Sequence, residues 1–316
     1  ESLRTVYGRI DQDIDRAIEL LEKARETTLA ENNKSHINLY VALGIKSRAC
    51  LAEGDWDGAF KAAKRVIDEG GYAVGTKSDL TSGMNSLDKQ NVMWGAGIQV
   101  ADQAGGYAGF FTHMDNKEGA YAKSAPKLIS KQLYNRISAT DIRRNWWDPS
   151  DKESPYVSKK FSFANVASFL GDYIYMRVEE MYFTAAEAAL RLDDLKSARE
   201  LMNTVMAERD PGYSANNRSG TLLGATTTTW TGSFLENILT HRRIELWGEY
   251  GRLFDVRRLG QGIDRRTDDG FSEECISMMN RRNVNITKAD TYDWVLTIPK
   301  AELDANPNIN EEAQNP

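Results

Sequence analysis

Few residues in this chain could do covalent chemistry. Its three histidines are His36, His113 and His241, and none has an evident serine or cysteine partner. No phosphate-binding glycine loop, Gly-x-Ser-x-Gly elbow or zinc-type Cys/His spacing occurs, so each histidine reads as a surface or packing residue. His241, Glu245 and Glu249 recur at steps of four, which would align them as metal ligands on one helix face. Arg242 and Arg243 beside them would repel a cation, and no metal or cofactor is expected. Glu245 and Glu249 also imitate the two carboxylates that a glycosidase sets about a cleft. Arg242, Glu245 and Glu249 are equally accounted for by a structural ladder, paired at i,i+3 and i,i+4 along one helix face. The ladder is the preferred reading, and no enzyme activity is expected.

Binding chemistry has better material. A sugar ring offers an apolar C–H face that stacks on an aromatic ring, with hydroxyls left for polar side chains around it. Seven tryptophans are present. Trp56, Trp247 and Trp294 fall in helix or strand patterns and are assigned to packing. Trp146-Trp147 differs, following Asp141, Arg143 and Arg144 and preceding Asp148-Pro149, a polar turn context. Neighbours on an irregular segment are not easily both buried, so at least one of these rings is expected at the surface, as a ligand platform or in local packing. Gly105-Gly106-Tyr107, Phe110-Phe111 and Tyr121 add aromatics on a glycine-hinged loop of the kind that carries function on rigid scaffolds; burial of the loop against helices would use the same residues. The candidate ligand contacts are therefore Trp146, Trp147, Tyr107, Phe110, Tyr121 and Trp94, with Arg143 and Asp115 as polar partners. Trp230, in a threonine-rich loop, is a secondary candidate like Trp94.

Composition bounds the function classes. The chain has 316 residues, 41% hydrophobic and 27% charged, with a formal net charge of -6. This is a globular composition, and the acidic balance with scattered Lys and Arg disfavours nucleic acid and anionic membrane surfaces as partners. Cys50 and Cys275 form no metal or redox motif; Cys50 reads as a small core residue, and a bond between the two is left open. No apolar run approaches a membrane span, and Glu1 opens neither a signal peptide nor a lipid-attachment cysteine.

The elements that must position these residues are mainly helical. Val6, Ile10, Ile14, Ala17, Ile18 and Leu21 stripe a helix over residues 2–25. Helices over 36–52 and 56–69 flank the tight Glu53-Gly54-Asp55 turn, and the small residues Ala49, Gly54, Ala59 and Ala63 give the pair a tetratricopeptide-like pattern. The pattern returns over 177–209 about Asp193-Asp194, where Ala59 aligns with Ala198, Ala63 with Met202 and Val66 with Val205. Residues 71–175 differ in kind: Gly, Ser, Asn, Asp and aromatics dominate, with a strand expected near 92–98 and a helix near 127–136. Insertions this long are functional or disordered, and the aromatics argue against disorder. In the stretch 234–260, Leu235, Ile238, Leu239, Leu246, Tyr250 and Leu253 trace a buried helix face, Gly251 interrupts it and Gly260 ends it as a C-cap glycine would. The fold expected is one domain, mainly α. A tetratricopeptide-like hairpin scaffold (1–70 and 176–260) carries an irregular, loop-rich capping insert (71–175) with few short strands, then a C-terminal segment (261–316).

This last stretch resembles the Glu-Arg-Arg-Ile-Glu-Leu … Glu-Gly-x-Arg-x-Phe-Asp-Leu-x-Arg-x-Gly signature of the SusD/RagB family of outer-membrane nutrient-binding lipoproteins. The matching residues are Arg242, Arg243, Ile244, Glu245, Leu246, Glu249, Arg252, Phe254, Asp255, Arg258 and Gly260. The chain departs at His241, where the family usually has Glu, and at Tyr250-Gly251, where one extra residue shifts the glycine. The tail, with Ile298-Pro299, Glu302, Asn306-Pro307 and Gln314-Asn315-Pro316, resembles the family's closing segment, and the second hairpin resembles its tetratricopeptide-like scaffold. Together these matches cover roughly the last 140 residues.

The resemblance implies a surface lipoprotein of the outer membrane that captures a nutrient, usually a glycan, without breaking a bond. It would then pass it to a SusC-like TonB-dependent transporter. It also implies an N-terminal piece, with export signal and lipid anchor, outside this chain. No ligand motif transfers residue by residue. A peptide ligand, as in the RagB branch, is the first alternative, and a tetratricopeptide-type protein-interaction scaffold the second. A carboxylate hydrolase ranks last.

Overall fold

The computed structural model describes residues 2–25, 33–102, 109–218, 232–261, 297–309 and 312. Its helices are α1 (Leu3–Arg25), α2 (Leu39–Glu53), α3 (Trp56–Glu69), α4 (Lys77–Leu80), α5 (Phe110–Met114), α6 (Ala120–Ser124), α7 (Lys131–Asn135), α8 (Val178–Arg191), α9 (Leu195–Ala207), α10 (Phe234–Glu245), α11 (Arg252–Arg258) and α12 (Lys300–Ala305). Two short antiparallel pairs join them: β1 (Val92–Ala96) with β4 (Tyr173–Arg177), and β2 (Trp147–Asp148) with β3 (Val157–Ser158). The mainly helical architecture with few strands is the one expected from sequence. In the insert, helix over 127–136 shrinks to the short α7.

The two hairpins repeat one another in backbone detail. Gly54 takes a left-handed conformation (φ +87°) and Asp55 then caps α3, accepting from Gly58 N. In the second hairpin Asp193 is left-handed (φ +62°) and Asp194 caps α9, accepting from Ser197 N. Each turn thus supplies a positive-φ residue followed by an aspartate that satisfies an orphan N–H of the next helix. The helices stack in the order α1, α2, α3, α8, α9, so the hairpins meet through α3 and α8. Alanines line this contact: Ala59, Ala62 and Ala63 on one side, Ala185, Ala186 and Ala189 on the other, all buried. Cys50 is buried and unbonded, its thiol pushed up to about 12, chiefly by burial.

The insert builds a second core, and it is aromatic. Phe111, Tyr134, Trp146, Trp147, Phe161 and Phe163 are buried together with Leu80, Ile129, Leu133 and Ile137. Helix α10 spans both cores: Phe234, Leu235, Ile238 and Leu239 pack into the scaffold, whereas Ile244, near its end, packs into the insert. Ser233 caps its start by accepting from Glu236 N. Beyond it α11 closes in a Schellman arrangement: Gly260 N donates to Arg257 O, Gln261 N donates to Val256 O, and Gly260 has φ +62°.

Candidate functional site

The carboxylates that could have done chemistry are held by buried cations. Helix α10 stops at Glu245 and Gly248 (φ +75°) turns the chain, so Glu249 is not one helical turn above Glu245 and the expected ladder does not form. Long-range partners replace it. Glu245 Oε1 accepts from Arg177 Nη1 (3.1 Å) and Arg209 Nη2 (2.9 Å), and its Oε2 accepts from Arg143 Nη1 (3.1 Å) and Arg209 Nε (3.0 Å). Glu249 Oε2 accepts from Arg177 Nε (2.8 Å), and its Oε1 accepts from Arg177 Nη2 (2.9 Å) and from Lys160. Arg242 turns away from both, donating to Asp255 (3.0 Å) and facing Glu180 (3.5 Å). These residues remain a structural charge system, yet every partner comes from a distant element, because a buried carboxylate needs more donors than its own helix can offer.

Electrostatics closes off acid–base roles for the pair. Burial raises the carboxyl of Glu245, but Arg209, Arg177 and Arg143 outweigh it and hold the group well below the usual range. Burial likewise raises Glu249, and Arg177 and Lys160 bring it down. A hydrolytic acid must be protonated near neutrality, and neither is. His241 is buried, its Nδ1 2.8 Å from Arg143 Nη2, and burial together with that guanidinium pushes its pKa well below the ordinary value. It is a neutral acceptor for arginine. Among the described residues no group of His, Cys, Asp and Glu is placed to hold a metal ion.

The expected aromatic platform is corrected by the structure. Trp146 and Trp147 are both 2% exposed. Trp146 ends a 3-10 turn and Trp147 begins β2, so the backbone changes direction between them and sends both rings into the insert core. Trp146 Nε1 donates to Leu80 O (2.7 Å), and Trp147 packs edge-on between Trp146 and Trp247. Arg143 is buried in the Glu245 network. Asp115, also buried, is a loop clamp: it accepts from the backbone N–H of Lys117, Glu118 and Phe163. Tyr121 is exposed and stacks on His113 with centroids 4.7 Å apart, away from the other candidates' cluster. Tyr107, Trp230, Trp294, Cys275 and the Gln314-Asn315-Pro316 end of the tail lie outside the described residues.

Trp94 and Phe110 are the two candidates that the fold brings together. They line a cavity of about 560 Å³ with Arg48, Met84, Phe161, Tyr173, Ile174, Tyr175, Gly248, Glu249 and Tyr250. Four parts of the fold meet here: α2 supplies Arg48, the β1–β4 pair supplies Trp94, Tyr173 and Tyr175, the insert supplies Phe110 and Phe161, and the turn after α10 supplies residues 248–250. Tyr175 is 42% exposed and stands nearly perpendicular to Trp94, with centroids 5.1 Å apart. The Arg48 guanidinium lies 3.9 Å from the Tyr250 ring centroid while clamped to Glu180 and Tyr175 O, and its Nη1 makes no hydrogen bond among the described residues. Gly248 is required at the rim, since a Cβ there would come within 2.6 Å of Phe161 and 2.8 Å of Met114.

The cavity is thus an aromatic concavity whose charged lining residues are Arg48 and Glu249, beside the polar tips of Trp94, Tyr173, Tyr175 and Tyr250. That composition suits a ligand with an apolar face and a few hydroxyls. Sequence reasoning missed Arg48, Tyr173, Tyr175, Glu249 and Tyr250 as lining. Tyr173 and Tyr175 stand two apart on a strand, a spacing that shares a face, but Ile174 between them lines the cavity as well.

A model of the SusD family matches residues 110–316, well over half of the chain, and the protein belongs to that family. Among solved structures it is similar to a SusD-like carbohydrate binding protein from Bacteroides vulgatus ATCC 8482, with 28% identity, coverage of 84% of this chain and 54% of that one, and a TM-score of 0.68. It is similar in fold to a SusD superfamily protein from Bacteroides thetaiotaomicron VPI-5482 (22% identity, 96% of this chain and 66% of that one, TM-score 0.71). The same holds for surface glycan-binding protein A from Bacteroides uniformis (17% identity, 96% and 68%, TM-score 0.59). The chain spans 54% to 66% of the length of the first two. No curated protein sequence matches it.

Proposed function

We propose that this protein captures a glycan without cleaving it and delivers it, at the outer-membrane surface, to a SusC-like TonB-dependent transporter. The observation that carries the reading is the cavity bounded by Trp94, Tyr175 and Tyr250, where exposed tyrosines and a tryptophan meet a guanidinium and a carboxylate. A sugar ring lays its C–H face on Tyr175 or Trp94, and its hydroxyls donate to Glu249 and accept from Arg48. Family membership supports the ligand class, because solved relatives are described as carbohydrate binding and surface glycan-binding proteins. The engagement of Glu245 and Glu249 by arginines and lysine supports binding without turnover. No helix among the described residues is long and apolar enough to cross a membrane; attachment to the outer membrane is proposed through a lipid anchor.

Native affinity electrophoresis against a panel of polysaccharides tests this, with the embedded polymer checked for shortening. Retardation of the wild-type chain by one polymer, lost in Trp94→Ala and in Tyr175→Ala, is expected. Shortened polymer would overturn capture without cleavage. Retardation that survives both substitutions would move the site, and retardation by no polymer would favour a peptide ligand.

A further inference from the structure

We propose that Lys160, which does not line the cavity, is the positioning residue for its Gly248–Tyr250 wall, and that ligand binding depends on it. The proposal rests on the cavity being the ligand site. Lys160 is 1% exposed, among the largest fully buried side chains of the molecule. An ammonium has three donors, and here all three are spent on one short stretch of chain. Nζ donates to Glu245 O (2.7 Å), to Trp247 O (2.8 Å) and to the Glu249 carboxylate. The first closes the C-terminus of α10, the second fixes the residue before Gly248, and the third fixes the residue before Tyr250.

Besides Lys160, that stretch is held by Arg177 on both Glu249 oxygens, by the Arg48 guanidinium over Tyr250 and by Trp147 against Trp247. Within the turn, Glu249 N donates to Leu246 O and Trp247 N to Ile244 O. Arg177 supplies a weaker second partner to Glu245 O (3.2 Å) and holds the Glu249 carboxylate from the other side. Among the described residues Trp247 O accepts from Lys160 alone. Trp247 O, in a part-buried bond, loses its donor without Lys160 and must turn to water, and the backbone that would shift carries both Glu249 and Tyr250 into the cavity. The ammonium also sits 4.6 Å from the Trp146 ring centroid and 5.1 Å from that of Phe161. It therefore ties the wall to the insert core as well as to α10.

The charged groups facing Lys160 are Glu249 from the turn, Glu245 from α10 and Arg177 from β4, with Arg143 and Arg209 behind Glu245. Burial lowers the Lys160 pKa to about 8 against the pull of Glu249, so its charge can be removed without mutation.

Hydrogen–deuterium exchange on Lys160→Met and wild type at pH 7 is the test. Exchange over 246–250 should accelerate by about tenfold or more, with 178–191 and 234–244 unchanged. No change at 246–250, or equal acceleration throughout, overturns the proposal. If Lys160→Met does not fold, the wild-type chain decides. Its intrinsic-rate-corrected exchange over 246–250, and its tryptophan fluorescence through Trp146, should step between about pH 7 and about pH 9.5, and a flat profile overturns the proposal. A polymer that retards wild type should retard Lys160→Met about tenfold more weakly; a loosened turn with unchanged retardation overturns the dependence of binding on Lys160. If no polymer retards wild type, the glycan reading fails while exchange still decides what Lys160 does.

Discussion

The scaffold and the insert are two cores built by opposite means. In the scaffold, α3, α8 and α9 approach closely because alanines line the contact, and helices satisfy their own backbone. In the insert, most of the chain is loop, so little regular structure fixes where side chains point. Bulky rings fill the volume instead: Phe111, Trp146, Trp147, Phe161 and Phe163 meet edge-on or tilted. The scaffold is held by repetition and the insert by a few large residues. They are joined at Glu245, whose carboxylate takes Arg143 from the insert, Arg177 from β4 and Arg209 from the end of the second hairpin. The cavity lies along this joint, where neither core's regularity dictates the surface.

The sharpest way to break the contrast is to remove the insert's rings. Each of Trp146→Ala and Trp147→Ala should cost about 3–5 kcal/mol, so the double variant should lose the near-ultraviolet circular dichroism of the aromatic core while the α8–α9 helices keep their far-ultraviolet signal. Equal loss of both signals would show that the two cores fold as one. Next in size is Glu245→Gln. Leaving three buried arginines short of a carboxylate should cost about 3–5 kcal/mol in urea unfolding, and it should separate one transition into two if Glu245 is the joint.

Acid should act on the same joint. His241 has its folded pKa below its unfolded one, so its share of stability is fully present above the ordinary histidine value near 6.5 and is lost as pH falls below it. Glu245 and Glu249 are depressed in the same direction, and their share disappears below the ordinary glutamate value near 4.5. Stability should be flat through neutrality, then fall by about 1.4 kcal/mol per pH unit from His241 alone, steepening as the carboxyls join. His241→Gln, which keeps an acceptor for Arg143, should remove the first part of the decline and leave the second. The smallest effect on stability belongs to the cavity: Tyr175→Ala should change unfolding free energy by about 1 kcal/mol, because the residue is 42% exposed in the folded chain. Loss of polymer retardation in that variant would separate binding from folding.

Much of the scaffold was legible in the chain. Helix α2 was expected from residue 36 and begins at Leu39, α3 matched at 56–69, and the Asp193-Asp194 turn behaved as Glu53-Gly54-Asp55 does. Local rules sufficed there, since a capping aspartate and a helical stripe act within a few residues of themselves. The site was only half legible. Phe110 stood out as an aromatic on a glycine-hinged loop and Trp94 as a secondary candidate in an expected strand, but Trp146-Trp147 stood out too, and nothing local distinguishes an exposed pair from a buried one. Their burial depends on Leu80 and Trp247, far off in sequence, closing over them.

The same division holds for the charges. Apolar neighbours at helical spacing put Arg242 and Glu245 where a charge must be paired, whereas Glu249 lies beyond the end of that helix and the spacing did not place it. Which cations pair with them was decided by the tertiary structure. A carboxylate in a core takes whatever donors the fold brings within reach, and Arg143, Arg177, Arg209 and Lys160 reach Glu245 and Glu249 from elements whose mutual placement no local pattern encodes.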